Sequence, residues 1–102
     1  MVLRRTRKKE KSVKRLSIKR LEGDIILLYR LIEDRLNCKS TLFGSVYSIS
    51  VTKIDCGGKR REVKRVYDVT RNETEAERIF SMVSRGRVTP CCLLETIEDL
   101  IG

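Results

Sequence analysis

The chain has 102 residues, with 23 Lys or Arg against 14 Asp or Glu, four cysteines and no histidine, for a formal net charge of +9. That length holds one domain, and the lack of an imidazole removes the side chain that titrates nearest neutral pH, which leaves acid–base catalysis poorly served. The longest apolar run, Ile25 to Tyr29, is far short of the roughly 20 residues of a membrane-spanning helix. No apolar region follows the N-terminal basic run or Arg4-Arg5 to make an export signal, so a cytoplasmic protein is expected.

The charge is concentrated at the start. Residues 1–20 hold Arg4, Arg5, Arg7, Lys8, Lys9, Lys11, Lys14, Arg15, Lys19 and Arg20 against the single acid Glu10, while positions 21–102 balance thirteen cations with thirteen anions. A segment of that composition buries too little apolar area to order itself. The expected organisation is therefore a basic, disordered tail over 1–20 and a small α+β domain over 21–102. Val13, Leu16 and Ile18 or Leu21 interrupt the charges at spacings that fit a short basic amphipathic helix or the approach to a strand.

Asp24 to Leu36 is compatible with two periods. Ile25, Leu28, Tyr29, Ile32 and Leu36 make a helical stripe, whereas Leu27, Tyr29 and Leu31 fit one face of a strand and Ile26, Leu28 and Ile32 the other. Periodicity alone favours the helix slightly, with Gly23-Asp24 as its start. From Leu42 to Val69 the pattern is that of an antiparallel hairpin. Tyr47, Ile49 and Val51 alternate with Ser48, Ser50 and Thr52, and Gly57-Gly58 supplies a tight turn. Val63, Tyr67 and Val69 then define the apolar face of the return strand, with Arg65 as the exception. The flanking elements are expected to cover that face.

Two helices follow. Asn72 with Glu75 three residues on makes a capping box, Glu73, Glu75 and Glu77 favour the positive end of the helix dipole, and Ala76, Ile79, Phe80 and Val83 repeat at helical spacing. Gly86 is the expected left-handed terminator. Thr89-Pro90 opens the second helix, whose apolar side is Leu93, Leu94, Ile97, Leu100 and Ile101.

Cys38, Cys56, Cys91 and Cys92 are expected as free thiols, since no C-x-x-C pair or histidine exists to build a zinc site and adjacent cysteines serve a tetrahedral ion poorly. In the first turn of a helix Cys91 and Cys92 can gain thiolate character. As small apolar filler they would instead be buried, and that is the favoured expectation.

The Tyr-centred strand, charged turn, further strand and helix, followed by Val88-Thr89-Pro90, Leu93 and Ile97-Glu98-Asp99, resemble a small clostridial family known only as a domain of unknown function. The resemblance spans residues 29–101 and its most specific element is Val88–Asp99. It implies an extended segment for Tyr29–Arg35, and so a three-stranded antiparallel sheet followed by two C-terminal helices. It implies no activity and no catalytic residue. Cys91-Cys92 replace an aliphatic residue and a His of the family pattern.

The acidic residues fall on expected caps and solvent faces, and Lys59-Arg60-Arg61 on a solvated turn. No cofactor, metal or catalytic residue is expected, and the chain is not read as an enzyme. The functional expectation is a regulatory protein-interaction module using a sheet edge or the last helix, with homodimerisation as a further option. The alternative is nonspecific nucleic-acid binding through the ten basic residues of the tail, where each phosphate contact contributes about −0.9 to the salt slope. An anionic membrane surface is a third, weaker match for the same charges.

Overall fold

The computed structural model describes residues 8–37, 44–55, 57 and 59–101. Among them β1 (Lys8–Glu22), β2 (Ile25–Asn37), β3 (Gly44–Asp55) and β4 (Arg60–Thr70) form one antiparallel sheet in sequential order. Two helices follow, α1 (Glu73–Arg85) and α2 (Leu93–Ile101), the second entered through a 3-10 turn at Pro90–Cys92. The α+β class with two C-terminal helices is as expected, but the sheet has four strands and not three.

The added strand comes from the segment read as a disordered tail. From Lys8 on, that segment pairs along β2, with Leu16 opposite Leu31, Ile18 opposite Tyr29 and Arg20 opposite Leu27. Ile18 packs against the core, and Arg20 Nε donates to the Ser84 carbonyl oxygen at 2.9 Å. Composition alone misses this because it ignores alternation. Leu16 and Ile18 alternate with Ser17 and Lys19, the period of a strand with one buried face, and lysines suit an edge strand by discouraging further pairing. Arg4, Arg5 and Arg7 lie outside the described residues.

β2 is extended throughout, as the family resemblance implied and against the slight helical preference of its periodicity. Gly23-Asp24 is a hairpin turn and not a helix start: Glu22 pairs with Ile25 across it, and Gly23 takes φ +64°, the positive value a two-residue hairpin demands at its first position. Tertiary pairing overrides the local stripe here, because β2 is flanked on both sides by strands and gains ladder hydrogen bonds on each.

The helices cover one face of the sheet. Leu27, Tyr29 and Leu31 of β2 and Tyr47, Ile49 and Val51 of β3 are buried against Ala76, Ile79, Phe80 and Val83 of α1 and Leu93 and Ile97 of α2. In β3 Tyr47, Ile49 and Val51 face the core as expected, but Ser48, Ser50 and Thr52, expected on a wet face, are buried as well. The expected alternation of β4 does not hold. Val66 and Val69 pack toward the helices, whereas Val63 and Tyr67 lie on the opposite face, 60% and 58% exposed. A bulge between the Ile49–Val66 and Tyr47–Thr70 pairs, with Asp68 at φ +54°, inserts extra residues and switches the alternation.

Helix α1 starts at Asn72 as its sequence requires, with the Glu75 backbone N–H donating to Asn72 Oδ1 at 2.8 Å. Only that half of the capping box forms: the Asn72 N–H donates to Thr70 Oγ1 at 3.1 Å and the Glu75 carboxylate accepts from Arg78. Its end differs by one residue from expectation. Gly86 stays right-handed at φ −78°, and Arg87 takes the left-handed position at φ +53°. Val88 N–H donates to the Val83 carbonyl at 3.2 Å and Arg87 N–H to that of Ser84 at 3.3 Å, the two bonds of a Schellman ending. Gly86 suits its place because a Cβ there would sit 3.1 Å from the Met82 carbonyl oxygen. In α2, Leu93 and Ile97 are buried and Leu100 packs against the core, whereas Leu94 and Ile101, expected on the same side, are exposed.

Candidate interaction face of the sheet

The sheet face away from the helices is built by the strand register. Residues paired across neighbouring strands share a face, so Leu21, Ile26, Ile54 and Arg61 form one cross-strand row, Lys19, Leu28, Thr52 and Val63 the next, and Ser17, Arg30, Ser50 and Arg65 a third. Four strands make each row about 14 Å wide. The centre is a line of small hydroxyl residues, Ser48, Ser50 and Thr52, all buried. Toward the rims stand apolar side chains, of which Leu21 is 66% exposed, Val63 60% and Tyr67 58%.

Charge on this face is one-sided. The three rows carry Lys19, Arg30 and Arg61 with no acid among them, and the charge of Arg65 is met by Asp34 of the neighbouring position, which is buried. Arg65 Nη2 donates to Asp34 Oδ2 at 3.3 Å and to Oδ1 at 3.4 Å, and Ser48 Oγ donates to Oδ2 at 3.2 Å. The guanidinium carbon of Arg65 lies 4.6 Å from the centre of the Tyr67 ring, a cation–π contact. The result is an apolar surface with cationic corners, held in place by a buried Arg–carboxylate link across β2, β3 and β4.

The basic residues read from sequence are distributed by β1. Lys8, Lys9, Lys11 and Lys14 occupy register positions opposite Asn37, Leu36, Arg35 and Ile32, and Arg15 falls at the register shift between Lys14 and Leu16. Lys19 is exposed and belongs to the open face. Arg20, one residue on, belongs to the helix side and is committed to Ser84. Strand geometry thus separates two cations that a tail would have pooled. Arg30, Arg61 and Arg65 were not among the expected binding residues: Arg61, expected on a solvated turn, lies in β4 opposite Ile54, and the signal for Arg65 was its interruption of an apolar alternation.

Elsewhere, Tyr29 is fully buried and its hydroxyl donates to the Val88 carbonyl at 3.0 Å, with burial pushing the phenol above its ordinary value. Beside it a recess of about 300 Å³ is lined by Glu22, Ile25, Leu27, Lys53, Arg87 and Thr89, with Arg87 Nε 2.7 Å from Glu22 Oε2. Among the described residues no three His, Cys, Asp or Glu side chains converge as metal ligands, and no helix is long and apolar enough to cross a membrane. Cys91 and Cys92 are both exposed, against the expectation of buried filler.

Residues 7–102 match the sequence model of a family of unknown function, DUF6514. The chain belongs to that family. The match begins at Arg7, so the segment forming β1 is part of what defines DUF6514 and is not an appendage to it. No curated protein matches the chain, and no solved structure does.

Proposed function

We propose that this DUF6514 chain is a non-enzymatic, regulatory protein-interaction module of the cell interior that docks an acidic, apolar-studded partner segment on the open face of its sheet. The observation that carries the reading is the pairing of exposed Leu21, Val63 and Tyr67 with the cations Lys19, Arg30 and Arg61. Apolar side chains exposed together on a small domain mark interaction surfaces, and the surrounding charge favours an anionic partner and speeds its approach. Free thiols at Cys91 and Cys92 suit a reducing compartment.

A second reading keeps the same face and changes the partner to a nucleic-acid backbone. It is favoured by the continuity of Lys19 and Arg30 with the basic first half of β1. One experiment separates the two. A photo-crosslinking residue is placed at Val63, and in a control at Glu77 on the exposed side of α1, in the full-length chain in its own cells. Protein adducts formed from position 63, absent from 77 and lost on adding Tyr67→Asp, are the expected result. Equal adduct patterns from both positions would refute the face as the docking surface. Recovery of nucleic acid, with a binding slope of about −0.9 per phosphate contact in a salt series, moves the assignment to the second reading.

A further inference from the structure

Cys91 and Cys92 lie in the 3-10 turn that leads into α2, and both side chains face solvent. Their sulfurs are 3.8 Å apart, and the Thr89 hydroxyl oxygen is 3.5 Å from Cys91 Sγ. Thr89 caps nothing with its side chain, although its place before Pro90 is that of a cap residue; its hydroxyl is turned to the thiol instead. That contact, followed by the one from Cys92, holds the Cys91 thiol below its ordinary value despite the opposing charge of Glu62.

The separation of the sulfurs discriminates between two uses of such a pair. A disulfide requires about 2.05 Å, so the atoms would have to close by nearly half their distance while attached to adjacent residues of one tight turn. A single ion bonded to both sulfurs requires much less movement: two metal–sulfur bonds of about 2.3 Å at the tetrahedral angle hold the sulfurs about 3.8 Å apart. Soft ions are also the ones that thiolates select.

We propose that Cys91 and Cys92 form an exposed two-thiol chelate for a thiophilic ion, either a soft divalent metal or trivalent arsenic, bound between Cys91 Sγ and Cys92 Sγ. Two donors do not close a structural site of four, so the ion stays accessible to a competing dithiol, while a monothiol, with one attachment against two, does not remove it. With trivalent arsenic supplied as phenylarsine oxide, both S–H bonds break and two As–S bonds form. The oxide oxygen leaves as water with the two thiol protons, and arsenic stays trivalent, so no oxidant is needed. A divalent metal simply displaces the two protons to solvent. The site is independent of the sheet face, which lies on the other side of the sheet from the helices.

The test uses the full chain reduced with a phosphine, free of added thiols. One arm is intact-mass spectrometry after one equivalent of phenylarsine oxide, and the other follows the ultraviolet thiolate charge-transfer band during titration with Cd²⁺. The expected result in at least one arm is a single ion per chain, retained against excess monothiol and stripped by a small dithiol. Cys91→Ser and Cys92→Ser each weaken capture by at least about 100-fold, the scale of a lost second attachment, and the Cys38→Ser, Cys56→Ser double variant retains it. The two arms tell the arsenical from the metal. Because Cys91 and Cys92 are exposed, the serine variants fold, which circular dichroism checks. Failure of capture in both arms would overturn the proposal, as would equal capture by wild type and Cys91→Ser.

Discussion

Removing residues 1–20 deletes all of β1 except its last two residues and turns β2 into a sheet edge. Two side-chain losses can be valued. Ile18 packs against the core from a half-buried position, so its truncation costs about 1–2 kcal/mol, below the range for a fully buried Ile. The Arg20 bond to Ser84 is charged and partly buried, which puts it near about 1.5 kcal/mol. A chain starting at Leu21 should therefore lose at least about 2.5 kcal/mol, a large share of the 5–15 kcal/mol typical of a domain. At about 4–8 °C per kcal/mol for a domain of this size, the melting midpoint falls by at least about 10–20 °C. Differential scanning calorimetry and urea unfolding of the full chain, the truncated chain, Ile18→Ala and Arg20→Ala provide the comparison. The point variants should account for most of the loss, with coupling of about 0.5 kcal/mol between these near neighbours. If the truncated chain melts within about 2 °C of the full one, equivalent to less than about 0.5 kcal/mol, β1 is a passive appendage and the structural reasoning fails.

Other variants probe single contacts. Tyr29→Phe removes the hydroxyl donated to Val88 and should cost about 1 kcal/mol in urea unfolding. It also changes the alkaline limb of stability. Burial raises the Tyr29 phenol above its ordinary 10.0, so the folded state favours the neutral form; this contribution is complete below pH 10 and is lost as pH rises through the folded value. The difference between wild-type and variant stability should therefore shrink on that limb, and a constant difference would count against it. Asn72→Ala should lower stability by about 1 kcal/mol through the lost bond to Glu75, with Asn72→Asp restoring most of it. Val63→Asp, on the open face and 60% exposed, should leave the melting midpoint within the range that about 0.5 kcal/mol allows while abolishing partner capture. A cooperative loss of structure in that variant would mean that Val63 belongs to the core.

Local signals decided the helices and the central hairpin. Asn72 and Glu75, three residues apart, state the start of α1 without help from the rest of the chain, because a cap is satisfied within one turn. The alternation of Tyr47, Ile49 and Val51 likewise identifies β3 and its buried face, since the period of a strand is fixed by its own backbone. The exposed cysteine pair was visible as a pair, but not its exposure, which depends on the rotation of α2 after Pro90.

What sequence left open was settled by partners distant along the chain. Ile25 to Leu36 carries both a helical and a strand period, and its choice depends on β1 and β3 lying on either side to complete its hydrogen bonds. Lys8 to Arg20 has the composition of a disordered tail, yet Ile18 and Arg20 find the core and Ser84 only because the Gly23 turn brings β1 back along β2. The open face arises in the same way: Lys19, Arg30 and Arg65 are far apart in sequence and meet only through register, and the bulge at Asp68 turns Tyr67 away from the core. Composition and period are properties of a short segment, whereas burial and charge neighbourhood belong to the pairing of segments. For this chain the first determined the elements after residue 44, and the second determined the fourth strand and the face on which the proposed function rests.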